Sequence, residues 1–333
     1  MMRLFVAMMV SGALVMPAAG AGLNAAAINN AVFRAKSPTG DKVDPVALKA
    51  QVLLDRAQFS PGEIDGRLGE NAKKALKAFA EAKNLPADKP LTPEIWTALS
   101  ATDADPVITE YNIGENDVKG PFLKKLPAKM DDMKDLKALS YASPREALAE
   151  KFHMSQALLA ALNPGKKLDR AGETILVTNV LNRPGRKFPV ARIEVDKSRQ
   201  TVKAFDASDA LLAFFPATVG SAEKPTPDGS FKVNSVDANP NYRYNPDYQF
   251  KGVKSKKAFT IKPGPNNPVG SYWIGLGADG IGIHGTPDPS KVSKAESHGC
   301  VRLTNWDATL LGTNVKKGTP VTFVDQSQAG QKS

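Results

Sequence analysis

Apolar residues recur at helical spacing through the first third of the chain and alternate with polar ones through the last. Val46 to Leu54 reads as a helix. The turn-rich Ser60-Pro61-Gly62-Glu63-Ile64-Asp65-Gly66 interrupts it, and Ala72, Leu76 and Phe79 then place one apolar face on a helix over 70–83. Thr92 caps a third helix with Pro93 at its first position. Residues 45–100 are therefore expected to be a small three-helix unit. A second unit follows over 107–180: a strand at 107–113, an irregular insert over 114–137, helices opened by Ser143-Pro144 and Ser155, and a returning strand at 172–177. Beyond Asn182-Arg183-Pro184-Gly185-Arg186 the period becomes two. Strands are predicted at 191–195, 200–205, 211–219, 231–236, 272–276, 282–284 and 320–324, with a helix over 305–311 capped by Thr304. The fold class that results is multidomain α+β: a mainly-β sheet or barrel domain over 189–325, preceded by the three-helix unit and a βααβ unit.

Residues 1–21 change the picture first. Arg3, an apolar run from Leu4 to Val15 and Ala19-Gly20-Ala21 make a secretory leader whose apolar core is too short to span a bilayer. A soluble exported chain without a membrane anchor after cleavage is expected, and the periplasm is its expected compartment. Residues 22–44, rich in Ala and Asn and then polar, read as a flexible connection. The formal charge is +10. Export argues against nucleic acid as the partner, and the lysines, densest at Lys254, Lys256 and Lys257, read as a solvated basic surface. One cysteine in 333 residues cannot form an intrachain disulfide, so an exported chain that keeps it asks for another reason.

The candidate chemistry lies in His284 to Leu303, which holds Cys300, His284 and His298, the last two being two of the three histidines. A thiol beside imidazoles is the composition of a nucleophile with its base. Histidine can accept the thiol proton or, as imidazolium, favour the thiolate beside it. His284 ends the short strand Gly280-Ile281-Gly282-Ile283-His284, and Gly299 gives a turn before Cys300 that lets backbone N–H groups approach a reacting carbonyl. An inert buried cysteine and a zinc site on His284, His298 and Cys300 are the competing readings. The chain has neither an HExxH helix motif nor paired thiols, so no metal and no cofactor are expected. The third histidine, His153, reads as a surface or cap residue. The 34 residues of 237–270 form one long loop carrying Tyr242, Tyr244 and Tyr248, expected to act as a lid over the thiol.

The string His284-Gly285-Thr286, a gap, then Ser297-His298-Gly299-Cys300-Val301-Arg302-Leu303 closely resembles the signature of the YkuD-type L,D-transpeptidase catalytic domain. Thr226-Pro227-Asp228-Gly229-Ser230-Phe231 resembles that family's T-P-x-G-x-F element. The resemblance implies Cys300 as nucleophile, His284 as general base, the Gly285 carbonyl as its orienting partner, and His298, Gly299 and the Cys300 N–H on the oxyanion side. Arg302 matches the family arginine after the cysteine and either holds a substrate carboxylate or is structural, while Tyr242, Tyr244 and Tyr248 are candidate substrate contacts through the lid reading alone. The first unit resembles the peptidoglycan-binding-1 module through Leu53-Leu54, Ile64 to Gly69 and Ala72 to Phe79, with any ligand contact expected at Asp65 and Arg67. The second resembles a LysM module through Leu148 to Phe152 and Leu159 to Asn163, from which the long insert departs. The partners implied are peptidoglycan stem peptides and glycan. The reaction implied is cross-linking through a thioester on the third residue of a tetrapeptide stem, with release of D-alanine. L,D-carboxypeptidase action, attachment or release of a wall-bound protein, and a silent wall-binding protein are the alternatives.

Overall fold

The computed structural model describes residues 23–35, 42–181, 187–221, 223–248, 253–277, 280–297 and 299–325. The leader expected at 1–21 lies outside them. Among them no helix is long and apolar enough to cross a membrane.

The N-terminal half opens on α1 (Ala25–Asn29), which is not the flexible connection expected for 22–44. Ile28 is fully buried. The Asn29 side chain donates to the Ile108 carbonyl and accepts from the Ile108 N–H, and Lys49 caps the carbonyls of Asn29 and Ala31. One apolar residue and one correctly placed amide suffice to dock so short a segment, and composition averaged over twenty residues conceals both.

The three expected helices follow: α2 (Pro45–Arg56), α3 (Glu70–Ala82) and α4 (Pro93–Ser100). Asp44 caps the first through the Val46 N–H, and Thr92 caps the third through the Ile95 N–H. β1 (Ile108–Asn112) leads into an insert with two single-turn helices, α5 (Glu115–Val118) and α6 (Met130–Met133). Then come α7 (Pro144–Lys151), α8 (Gln156–Leu162) and β2 (Thr174–Thr178), which pairs antiparallel with β1. The two units share one apolar core. Leu48, Leu54, Leu76, Phe79 and Leu99 of the first are continuous with Ile108, Leu148, Leu158 and Val177 of the second. Arg56 ties them further by donating to the carbonyls of Asp105, Pro106 and Asn179.

The C-terminal part is a curled mixed sheet of eight strands. They are β3 (Arg192–Asp196), β4 (Thr201–Phe205), β5 (Leu211–Pro216), β6 (Gly229–Ala238), β9 (Tyr272–Leu276), β10 (Gly282–His284), β11 (Val301–Arg302) and β12 (Pro320–Val324). Their order is β11-β10-β9-β6-β12-β3-β4-β5. β12 runs parallel to β3 and β11 parallel to β10; the other pairs are antiparallel. Alternate residues of the inner face, among them Ile193, Val195, Val202, Phe215, Ile274, Ile283 and Val321, make a second core, closed by Ala308 and Leu311 of α9 (Asn305–Asn314). Gly312 lets α9 approach the sheet, because a Cβ there would fall 2.1 Å from the Tyr272 ring.

The halves are welded together. Phe214 of β5 belongs to the N-terminal core, and its backbone exchanges hydrogen bonds with Gln58 and Ser60. Residues 237–270, expected as a single loop, contain a hairpin of β7 (Tyr242–Tyr244) and β8 (Phe259–Ile261). This excursion rests on the insert that follows β1. Leu139 exchanges backbone bonds with Pro263 and Asn266, and the Asp131 carboxylate accepts from the N–H groups of Lys254 and Ser255. Gly264 has φ +145° and lies so close to Leu139 that a Cβ would be 2.2 Å from its carbonyl oxygen.

Candidate active site

β10 places His284 at its end, and β11 begins one residue after Cys300. The parallel register pairs Ile283 with Val301 and His284 with Arg302, so the imidazole stands at the C-terminal end of β10 and the thiol just before the N-terminal end of the strand beside it. Gly282 is required within β10. Trp273 crosses from β9, and a Cβ on Gly282 would stand 2.6 Å from the indole. The same indole stacks on the His284 ring, with centroids 5.5 Å apart and planes inclined by 20°.

His284 is buried, 3% exposed, and its Nδ1 lies 2.6 Å from the Gly285 carbonyl oxygen. A carbonyl only accepts, so Nδ1 carries the proton and Nε2 the lone pair. Burial, and then the Arg302 charge, lower the imidazole pKa to about 3, against the pull of the Gly285 carbonyl. Cys300 is half-buried, and its Sγ donates to the Gly280 carbonyl at 3.2 Å. Burial pushes the thiol up, offset in part by the Gly282 N–H and by Arg302. At rest the pair is thus a neutral thiol beside a neutral imidazole. This favours proton acceptance over a standing thiolate–imidazolium pair.

The turn before the thiol is held from several sides. Gly299 has φ +113°. Its N–H donates to Ser297 Oγ at 3.2 Å, and its carbonyl accepts from Thr226 Oγ1 at 2.9 Å. Thr226 Oγ1 also accepts from the Gly220 N–H at 2.8 Å, so the T-P-x-G-x-F element anchors the cysteine turn. Ser297 Oγ donates to the Cys300 carbonyl. Gly299 spends its amide on Ser297, which differs from the oxyanion role expected for it. The loop needs that bond because a left-handed glycine between two turns has no ladder partner.

The remaining expected residues separate. Arg302 is half-buried, and its charge acts on Cys300, His284 and Tyr242, which brings Tyr242 to the site. Tyr244 does not line a surface. It is 3% exposed and stacks on Phe259, centroids 4.7 Å apart, because a three-residue strand turns alternate side chains inward. Tyr248 ends a 3-10 turn over 246–248. His298 lies outside the described residues, so the zinc trio cannot be assembled among those described; none of their His, Cys, Asp and Glu side chains groups as a metal site.

In the helical unit, Asp65 Oδ1 accepts from Gln51 and from the Arg67 N–H, which builds the turn at which ligand contact is expected. The adjoining turn faces the catalytic sheet. Ser60 Oγ donates to Asp307 at 2.8 Å, and Ile64 exchanges backbone bonds with His153 and Ser155. Asn71 donates to the Val292 carbonyl and Lys74 to Ser293 Oγ, both in the loop ahead of Cys300. His153, expected as a surface or cap residue, does close the end of α7, with φ +55° and its N–H on the Glu150 carbonyl, but its ring is stacked on Trp306 at 5.0 Å and bonded to Asp55 at 2.9 Å. Burial raises Asp307 and Glu150 to about 7 each. Sequence reasoning passed over this buried polar cluster. Its signal was Ser60, Glu150 and Asp307 standing on otherwise apolar faces.

The family model of the L,D-transpeptidase catalytic domain, YkuD, matches residues 190–323, and that of a peptidoglycan binding domain matches 46–99. A protein named as the L,D-transpeptidase YkuD of Bacillus licheniformis is 30% identical over 180 residues, covering 54% of this chain and 92% of that protein. Its namesake in Bacillus subtilis is 28% identical, covering 53% and 91%. The protein named L,D-transpeptidase YbiS of Escherichia coli K12 is 26% identical over 190 residues, covering 55% and 60%.

Proposed function

The chain belongs to the YkuD-type L,D-transpeptidase family, and from that membership we propose an exported enzyme that cross-links peptidoglycan through a thioester on Cys300. The observation that supports the mechanism is that β10 ends on His284 and that Cys300 directly precedes β11, its parallel neighbour, with Nδ1 tied to Gly285.

As substrate enters, Nε2 of His284 takes the Cys300 proton, and Sγ attacks the carbonyl carbon of the third stem residue. The developing oxyanion faces the amide of Cys300, since that of Gly299 is engaged by Ser297. The bond to D-alanine breaks, the amine leaves with the proton held by His284, and a thioester remains. The side-chain amine of a second stem then attacks the thioester. His284 accepts a proton from that amine and returns it to sulfur, so thiol and imidazole end as they began. Acyl energy passes through the thioester, and no ATP is consumed. Arg302, close to Cys300 and Tyr242, is placed to hold a stem carboxylate. We read the excursion that bears Tyr242, whose ring interacts with the Arg302 charge, as the cover that limits water at the thioester.

The helical unit matched by the peptidoglycan binding model holds the enzyme on its polymer, helped by the unit from β1 to β2, in which α7 and α8 run into β2 as expected for a LysM-like module but the insert with α5 and α6 departs from it. A periplasmic address, with residues 1–21 as a cleaved leader, accords with wall chemistry. Mass spectrometry of tetrapeptide wall fragments incubated with the mature protein tests the reading. Dimers joined through third residues, absent with Cys300→Ala, are expected. Tripeptide monomers alone would replace transfer by hydrolysis, and dimers made equally well by Cys300→Ala would remove the nucleophile assignment.

A further inference from the structure

Glu150 belongs to α7, in the βααβ unit, yet its carboxyl group points into the catalytic half. It is 8% exposed. Both of its oxygens lie 3.1 Å from Asn305 Nδ2, and Tyr141 donates to it at 3.4 Å. Asn305 is the first residue of α9, five positions after Cys300, and is itself buried. Its Nδ2 also donates to the Pro265 carbonyl at 3.1 Å, and its Oδ1 accepts from the Ser271 N–H at 3.0 Å.

A terminal amide can present either end. Here Pro265 and the ionised Glu150 offer acceptors and the Ser271 N–H only a donor, so the ring of partners favours one orientation. That orientation wedges Oδ1 between two glycines. A Cβ on Gly285 would lie 2.3 Å from it, and one on Gly270 2.1 Å. Gly285 is the residue whose carbonyl holds His284 Nδ1 at 2.6 Å, and its own N–H donates to the Tyr272 carbonyl. A rotated amide would set its NH₂ group against this backbone and leave the Ser271 N–H unpaired. The 284–286 turn would then shift, and the imidazole with it.

We propose that Asn305 and Glu150 are positioning residues for the His284 imidazole, acting through the Gly285 backbone, so that the βααβ unit completes the catalytic centre as well as bringing it to the wall. The proposal rests on the reading of His284 as general base. It also gives the weld between the halves a catalytic purpose: the last polar partner in the chain of contacts comes from α7.

The experiment uses the full mature chain and a tetrapeptide wall fragment, with kcat, KM and single-turnover release of D-alanine as readouts. Asn305→Ala and Glu150→Leu are expected to lower kcat and the single-turnover rate on the order of 10–100-fold, the scale of a small misplacement of a catalytic group. KM should stay within roughly twofold. Glu150→Gln keeps an acceptor for Asn305 and is expected to recover most of the rate. Ser60→Ala, which removes another hydrogen bond of the same interface, should lower the melting temperature and leave kcat alone. Near-normal kcat in folded Asn305→Ala and Glu150→Leu would overturn the proposal, as would an equal loss in Glu150→Gln or in Ser60→Ala. If Asn305→Ala does not fold, the Leu and Gln variants at Glu150 decide. His284→Ala run alongside separates the two readings. Retained transfer in it removes the general base, whereas loss in it with normal Glu150→Leu removes only the positioning role.

Discussion

Asp307 offers the sharpest test of how the two halves hold together. It is 2% exposed at the interface, accepts from Ser60 Oγ, and feels the Asp55 carboxylate as well as the His153 ring. Burial, with Asp55 adding to it, lifts its carboxyl group from 3.8 to about 7. The folded protein therefore binds this proton more tightly than the unfolded chain. The associated stability is fully present below the unfolded pKa and is lost as pH rises through the folded one. A gap of this size corresponds to roughly 4 kcal/mol in all. Sharing of charge with His153 and Asp55 leaves about 2–3 kcal/mol of it between pH 5 and pH 8. Asp307→Asn cannot ionise. Urea unfolding of wild type and variant at both pH values gives the result as a difference of differences, in which His284 and Glu150 cancel. The variant should lose about 2–3 kcal/mol less stability than wild type on going from pH 5 to pH 8. Parallel stability curves for the two proteins would refute the claim that this carboxyl group is held neutral at the interface.

Further outcomes follow from the site and the cores. Alkylation of Cys300 by iodoacetamide in the free enzyme should climb with pH through and beyond the ordinary thiol range; a plateau near neutrality would mean a resting thiolate–imidazolium pair, contrary to the directions found for Cys300 and His284. Phe214→Ala opens a cavity where β5 enters the N-terminal core and should cost about 3–5 kcal/mol in chemical denaturation; a loss below 1 kcal/mol would mean that the halves do not lean on each other there. Thr226→Val leaves the Gly220 N–H and the Gly299 carbonyl without their partner. It should cost about 1–3 kcal/mol in melting experiments and lower kcat with it, and unchanged kcat would detach Thr226 from the cysteine turn.

The catalytic strip was legible because its parts are neighbours in sequence. His284, Gly285, Gly299, Cys300 and Arg302 lie on two strand ends and the loop joining them, so local pattern carried the geometry. The helices were legible through their apolar periods and through Thr92, Ser143 and Ser155 at their caps. What escaped depends on partners far away in sequence. Asp65 reads as an available acid until Gln51 is seen to claim it. Tyr244 reads as a lid ring until a hairpin turns it inward onto Phe259. Glu150 shows in sequence only as an acid on an otherwise apolar helix face, and the fold alone brings Asn305, 155 residues later, against it. The insert after β1 and the excursion after β6 likewise read as two separate irregularities, although each supplies the other's backbone partners through Leu139, Pro263 and Asn266.

The strand order has a consequence in time. β12, residues 320–324, lies between β6 and β3 near the middle of the sheet. Until it is inserted, β3-β4-β5 and β6-β9-β10-β11 are two ribbons with open edges facing each other. A chain emerging from the ribosome can assemble its helical half early, but the thiol and its base have no finished platform until residue 324 is free. Such a protein is reactive only once β12 has been made and inserted, and any pause before that point leaves two adhesive edges for a chaperone to cover.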